Sequence, residues 1–516
     1  PSWFFLSGFE SLRKTIIEEQ KIESMLHLSR GVFGADFGSV CSVIKNTFIE
    51  NSTGTFFRLV ERTFQEFEQN HLRILLEKTL SNHDFRFIFS EYTKDVEDIY
   101  YNENGAKIYY PNVCQSNFNK IPGAPFAYWV SEQVVKSFSL PSFITYGKGV
   151  KGLDSGDNNT YVRYIWEIDI KSNLWVHYYS GGPYRKWFGN LYYVLRYPEV
   201  THFKGACVRN RDLYFKEGFE WSRLSSNHFG VRATNGAVFG GASQMAFLHS
   251  EKDSLFKYLA IYNSPIVEFY IKFLNPTMVT QAGDVNRIPI CDETPLNVES
   301  TVGQCIEISK LDWDAHETSW DFEQNELVYM ATNAINLSNM DENPDLPISA
   351  LVDTFKDKWS ENFYQLHANE EELNRQFIEI YGLQDELSPD VPLDEITILQ
   401  QGEISIEDNQ IIWHDDLLMK QLISYIIGLI MGRYRLDKPG LHIAHPEPSS
   451  DELAPYTYNG KTIEIDDDAI IPILPDDSPF ADNLHNRVKD YIRIIFGDDI
   501  LTQNLNYIEQ ALSKGI

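Results

Sequence analysis

Apolar positions along the chain change period several times, and each change predicts an element. Near the start, helical spacing through Arg13, Ile16 and Ile17 predicts a helix that Ser7 or Ser11 could cap. KIESMLHL then alternates at period two, GVFGADFG reads as a turn, and SVCSVIKN as a second strand. That order is the edge of an α/β sheet rather than a complete one. The string FRLVERTFQEFEQNHLRILLEKTL, residues 57–80, carries a helical pattern, and the Pro- and Gly-containing connector IPGAP at 121–125 puts a boundary between 110 and 140. From 143 to 239, short aromatic and β-branched runs (YVRYIWEIDI, LYYVLRY, AVFGG) separated by Gly, Asn and Ser predict a β-rich, loop-rich domain. Residues 251–273 read as helical, stopped by Asn275-Pro276, and beyond 291 apolar stripes predict helices at 361–381, 415–434 and 486–496. The longest uncharged apolar run, 422–431, is about half the roughly twenty residues that a membrane-spanning helix needs.

Composition supports folded domains: 516 residues, 43% hydrophobic, with 33 Phe, 28 Tyr and 10 Trp, exclude a disordered chain. Five cysteines (41, 114, 207, 291 and 305) stand singly without CxxC or nearby ligand spacing, which fits a reducing, cytoplasmic compartment and suggests no metal site. The net charge of −30 would seem to exclude a polyanionic partner, but its distribution alters that. Residues 1–290 hold 31 Lys and Arg against 29 Asp and Glu, whereas 291–516 hold 13 against 45. Within 141–290 the balance is 17 basic to 12 acidic, so this part can face a polyanion that the C-terminal part repels. The chain opens Pro-Ser-Trp-Phe-Phe-Leu, without an initiator Met or a basic signal region, and is expected to be a piece of a longer protein.

GKGVKG, residues 147–152, matches GxGxxG in letters, yet no helix pattern follows. A Gly-Lys loop that meets DNA phosphates through Lys148 or Lys151 is the favoured reading. In GGPYRKWFGN, Arg185 and Lys186 sit among aromatics after a Gly-Gly-Pro turn. Arg185 suits a guanine edge and Asn190 an adenine edge, while an aromatic-anchored surface loop is the plainer alternative. Arg209 and Arg211 in CVRNRDLYF, and Arg223 and Arg232 in WSRLSSNHFGVRAT, extend the set of candidate DNA contacts. The helix HANEEELNRQFIEIYGLQDEL reads as a packed helix with a solvated acidic face, and no carboxylate or histidine pair stands at a spacing that specifies a general acid or base.

Taken in order, SWFFLSGFESLRKTI with IESMLHLSRGVFGADFGSVCSVIKN resembles the second half of the catalytic domain of adenine DNA methyltransferases, after their NPPY motif. IPGAPFAYWVSE, GGPYRKWFGN, LAIYNSPIVEFYIKFLNPTMVTQAGDVNRIPI, DWDAHETSWDF, NEEELNRQFIEIYGL and LISYIIGLIMGRYRLDKPGL are similar to successive landmarks of the PglX family of bacteriophage exclusion (BREX) phage-defence systems. The resemblance runs nearly end to end. It implies methyl transfer from S-adenosylmethionine to the adenine amine at a site in double-stranded DNA, with the target base flipped out of the duplex. It implies the α/β edge of a class I methyltransferase domain at 1–125, a mixed β-rich target-recognition domain at 126–290 and a mainly helical, acidic region at 291–516. It further implies a monomer that acts with other BREX proteins. Phe33 of RGVFGADFGSV matches the aromatic that stacks on the flipped base; a buried turn residue is its other reading. This sequence contains no NPPY and no Gly-rich loop of the cofactor site, so S-adenosylmethionine is expected to bind an upstream part, and this chain alone is expected to be inactive. Two other readings stay open: a non-catalytic DNA-specificity module, and an acidic protein-interaction scaffold of a defence complex.

Overall fold

The computed structural model describes residues 2–514 except 33, 35, 36, 62–65, 170, 171, 226, 227, 235, 251, 276, 339–345, 476–479, 481 and 482. The first helix, α1 (Glu10–Glu19), follows a 3₁₀ turn at Ser7–Phe9, and neither Ser7 nor Ser11 caps it. It buries Arg13, Ile16 and Ile17 against a four-stranded sheet. A buried guanidinium needs acceptors, and Arg13 donates to the carbonyls of Trp3 (2.8 Å), Leu6 (2.8 Å), Gly123 (2.6 Å) and Ala124 (3.1 Å). The cation thereby ties the start of the chain to the IPGAP connector.

The sheet comprises β1 (Lys21–His27), β2 (Val40–Lys45), β3 (Thr53–Arg58) and β4 (Tyr109–Cys114), in the order β2-β1-β3-β4. β1 pairs antiparallel with β2 and parallel with β3, and β3 antiparallel with β4. Ile22 and Met25 of β1 are fully buried although three residues apart, because the pairing with β2 shifts register between Ile22 and Ser24. Among the described residues of the helix expected over 57–80, the second half forms α2 (Gln69–Ser81). Phe57 belongs to β3 instead, because strand pairing with β1 buries its ring, which a surface helix could not do.

The β-rich region holds β5 (Gly147–Val150), β6 (Val162–Tyr164), β7 (Trp175–Tyr179), β8 (Tyr193–Arg196), β9 (Gly218–Ser222), β10 (Arg232–Thr234), β11 (Val238–Phe239) and β12 (Ser243–Leu248). They form two four-stranded sheets, β11-β7-β8-β6 and β10-β9-β12-β5. GKGVKG is therefore not the flexible loop that its composition suggested: its first four residues are β5, paired with β12. Its glycines admit close packing. A Cβ on Gly147 would meet the Phe247 carbonyl at 2.6 Å, one on Gly149 the Trp221 ring at 3.2 Å, and one on Gly152 would run into Phe239.

Helices α3 (Leu255–Asn263) and α4 (Pro265–Leu274), broken at Ser264-Pro265, lead into α5 (Val298–Asp314), α6 (Glu326–Ser338), α7 (Ile348–Tyr381), α8 (Asp415–Ile430), α9 (Leu484–Phe496) and α10 (Leu501–Lys514). α7 starts well before the expected 361 because the stripe Leu351, Val352, Phe355, Trp359 and Phe363 extends the same buried face, and it ends at Gly382 in the left-handed conformation. A hairpin, β13 (Ile404–Glu407) and β14 (Gln410–Trp413), precedes α8; its turn residues Asp408 and Asn409 both have positive φ. One continuous apolar core runs from Ile121 through Trp187 and Trp221 to Ala511. The change of charge at 291 thus does not coincide with a break in packing. No helix among the described residues is long and apolar enough to cross a membrane.

Candidate nucleic-acid interface

The structure divides the predicted DNA-contacting residues into two groups. Arg185, Lys186, Asn190 and Arg232 are buried, which corrects their expected place on a DNA-facing surface. Arg185 donates to Asp312 at 2.6 Å, to the Ser309 carbonyl at 3.2 Å and to the Phe188 carbonyl at 2.7 Å, with its guanidinium 5.1 Å from the Trp313 ring centre. Lys186 meets Glu370 at 2.7 Å, and the Trp187 indole donates to the same carboxylate at 2.7 Å. Burial opposes the Lys186 charge, but Glu370 more than offsets this and its pKa is raised. Arg232 pairs with Glu220 and donates to the Arg185 carbonyl at 2.8 Å. Asn190 donates to the Pro183 carbonyl at 2.9 Å. GGPYRKWFGN is therefore the piece that joins the β-rich region to α5 and α7. The physical reason is charge satisfaction: Asp312 and Glu370, supplied by the acidic region, neutralise cations that would otherwise need solvent or phosphate.

The second group remains at the surface. Lys148 on β5 and Arg211 are exposed. Lys151 and Arg209 share one carboxylate, Asp154, at 3.0 and 2.7 Å, and Asn210 donates to the Lys151 carbonyl at 2.8 Å, so residues 151–154 and 209–211 form one basic corner. Burial acts to raise the Asp154 pKa, but hydrogen bonds from Arg209 and Lys151 outweigh it and hold the carboxyl below its ordinary value. Gly241 packs against Lys151 and Asp154, where a Cβ would have no room. Arg223 is half-buried, its backbone paired with Ala242 and Thr280. Among the described residues of 141–290 five charges are buried, namely Arg185, Lys186 and Arg232 against Glu220 and Asp284, which leaves 13 basic and 9 acidic described residues outside the core. The basic excess survives burial.

Phe33 lies outside the described residues. The described residues also offer no cradle for S-adenosylmethionine at the Gly-rich string, whose glycine positions face protein atoms. No step through that cofactor is derived from this chain. Asp466, Asp467 and Asp468 cluster, but they are exposed acidic groups for the most part and indicate no metal. The buried pair His316 and Glu403, 2.6 Å apart, has Gln421 as a further donor and reads as a structural contact. Sequence reasoning missed the carboxylate partners Asp312, Glu370 and Asp154; only Asp154, three residues from Lys151, left a local signal.

No protein-family model matches the chain. Along 99% of its length, however, it is similar to adenine-specific methyltransferases. The likeness is to the BREX type: the chain is 30% identical, over an alignment of 536 positions, to the adenine-specific methyltransferase BrxX of Escherichia coli O9:H4 (strain HS). It is 28% identical over 545 positions to the adenine-specific methyltransferase PglX of Lacticaseibacillus casei (strain Zhang). It spans 40% and 41% of the length of these relatives.

Proposed function

We propose that this chain is the DNA-recognising portion of an S-adenosylmethionine-dependent adenine-specific DNA methyltransferase that marks host DNA in BREX phage defence. The observation that carries the reading is the end-to-end similarity to two adenine-specific methyltransferases. The surviving basic excess of 141–290, beside an acidic helical region, agrees with it. In this reading, residues 1–125 complete the edge of the catalytic sheet, 126–290 meet duplex DNA in the cytoplasm through Lys148, Lys151, Arg209, Arg211 and Arg223, and 291–516 brace the recognition region from behind. Phosphate contacts by these side chains fix register and supply salt-dependent affinity, while base specificity needs groups aimed into a groove. Phe33 holds the flipped adenine, so Phe33→Ala slows methylation by roughly ten- to a hundredfold and Phe33→Trp, which keeps a stacking face, by much less.

The test is transfer of tritiated methyl groups to BREX-negative host DNA. The chain alone is expected to show no turnover, and the chain fused to the remaining part of its Escherichia coli relative is expected to methylate adenine. Turnover by the 516-residue chain alone would overturn the division of labour. The absence of NPPY from this sequence favours one second reading, a specificity module without chemistry. DNA binding by the chain with no methylation by any fusion would select it.

A further inference from the structure

A cleft of about 450 Å³ opens where residues 222–225, 228–230 and 277–280 face the start of GGPYRKWFGN and the 3₁₀ turn Leu393–Glu395. Two other cavities among the described residues hold about 20 and 10 Å³, whereas this one has room for a side chain of another molecule. One wall is apolar. Tyr184, Phe229, Leu224 and Met278 line it, and Leu224 and Met278 remain 63% and 47% exposed although they sit side by side, with the Ser225 amide donating to the Met278 carbonyl at 3.1 Å. Two exposed flexible hydrophobes at the lip of a cleft are a costly surface unless something covers them.

The other wall is acidic. Asp394 is exposed and has no hydrogen-bond or ion-pair partner among the described residues, and Glu395 faces His228 at 3.8 Å. His228 also lies 3.5 Å from Glu268, which Lys272 meets at 2.8 Å. Arg232, which contributes to the floor, is already paired with Glu220. Three carboxylates therefore face one lysine and one histidine, and the two that line the cleft, Asp394 and Glu395, come from the acidic region 291–516. A phosphate backbone would meet Asp394 and Glu395 head on, so the cleft is a poor seat for nucleic acid. It suits a cation on an aliphatic stem: the stem lies on Leu224 and Met278, and the charge reaches Asp394 and Glu395 beside the Tyr184 ring.

We propose that this cleft is a docking site for a basic, apolar peptide segment of a partner protein, with Asp394 and Glu395 taking its arginine or lysine side chains and Leu224 and Met278 its apolar ones. The proposal does not rest on the DNA-methylation reading, because that reading gives Asp394, Glu395, Leu224 and Met278 no role.

The probe is a fluorescein-labelled, capped peptide of alternating leucine and arginine, titrated by fluorescence anisotropy into the whole chain. The peptide binds, and its leucine–glutamate counterpart does not. Asp394→Asn with Glu395→Gln weakens binding by about tenfold or more, as removal of close charge partners does. Leu224→Ser, on an exposed side chain that leaves the charges in place, weakens it separately, and melting curves of both variants match the parent. Glu407→Gln with Asp408→Asn, on the exposed hairpin turn outside the cleft lining, leaves binding unchanged. Three results overturn the proposal: no binding of the basic peptide, equal losses from the cleft and hairpin variants, which would mean diffuse attraction to an acidic surface, or displacement of the peptide by an unlabelled DNA duplex.

Discussion

Arg185 and Arg209 belong to the same β-rich region, and each meets one aspartate, at 2.6 and 2.7 Å. Their side chains are 7% and 38% exposed, and that difference decides what each contact is worth. At Arg209 water screens the pair and the cation stays available to a polyanion. At Arg185, and at Lys186 beside it, the pair replaces water altogether, so the charge serves assembly and nothing outside the protein can reach it. A basic residue among aromatics is thus two different devices, chosen by whether a carboxylate from a distant segment closes over it.

The largest test of this contrast removes one buried partner. Lys186→Ala leaves Glu370 buried with only the Trp187 indole as donor, and breaking a buried pair from one side costs about 3 to 5 kcal/mol. Urea denaturation is expected to show that loss. Lys186→Met with Glu370→Leu, which removes both charges and fills the volume, is expected to recover most of it. DNA affinity and its salt dependence, measured where the variants remain folded, should not move. A Lys186→Ala protein of undiminished stability but flatter salt dependence would return Lys186 to the DNA surface and erase the contrast.

The same contrast explains what the sequence could reveal. Local features were legible: KIESMLHL holds β1, α4 ends at Leu274 with Asn275 as its C-cap, and the stripe 361–381 lies within α7. Phe57 misled because its strand depends on parallel pairing with β1, a non-local bond that no period encodes. GKGVKG misled because its glycines answer to Phe247, Trp221 and Phe239, each distant in sequence. Of the candidate site, Lys148, Lys151, Arg209 and Arg211 kept the surface position their composition implied. Arg185 and Lys186 did not, since the carboxylates that bury them come from 127 and 184 residues away.

A second test compares two histidines. His27 is buried beside Phe4 and Trp129, and burial, with the nearby Arg58 guanidinium, holds its pKa well below the ordinary value. The unfolded chain then binds a proton that the folded chain refuses. The His27 contribution is therefore present above about pH 6.5 and is lost on acidification, with a slope of up to about 1.4 kcal/mol per pH unit. At His228 the hydrogen bond with Glu268 dominates over burial and raises the pKa, so its contribution is present below about pH 6.5 and fades as pH rises through the raised value. Stability measured between pH 5 and 8 should lose part of its acid limb in His27→Phe and show the opposite, smaller change in His228→Gln. Identical profiles in the parent and His27→Phe would place no neutral histidine at that position.

The smallest effect on stability belongs to the exposed corner, where the largest effect on DNA is expected. Arg209→Ala removes a half-exposed pair whose carboxylate keeps Lys151 as a partner, so it should cost less than about 1 kcal/mol in urea. Arg211→Ala, at an exposed side chain, should cost still less. Each phosphate contact on B-DNA contributes about 0.9 to the slope of log K against log salt concentration. If Arg209 and Arg211 each touch one phosphate, each alanine variant lowers the slope by about that amount, and the double variant by about twice as much. Asp154→Asn sharpens the comparison. It frees two cations at once without adding one, so it should strengthen DNA binding at low salt, whereas neutralising Asp312 beside buried Arg185 should only destabilise the fold. Unchanged slopes in both arginine variants, with Asp154→Asn equally neutral, would move the DNA-facing surface away from this corner.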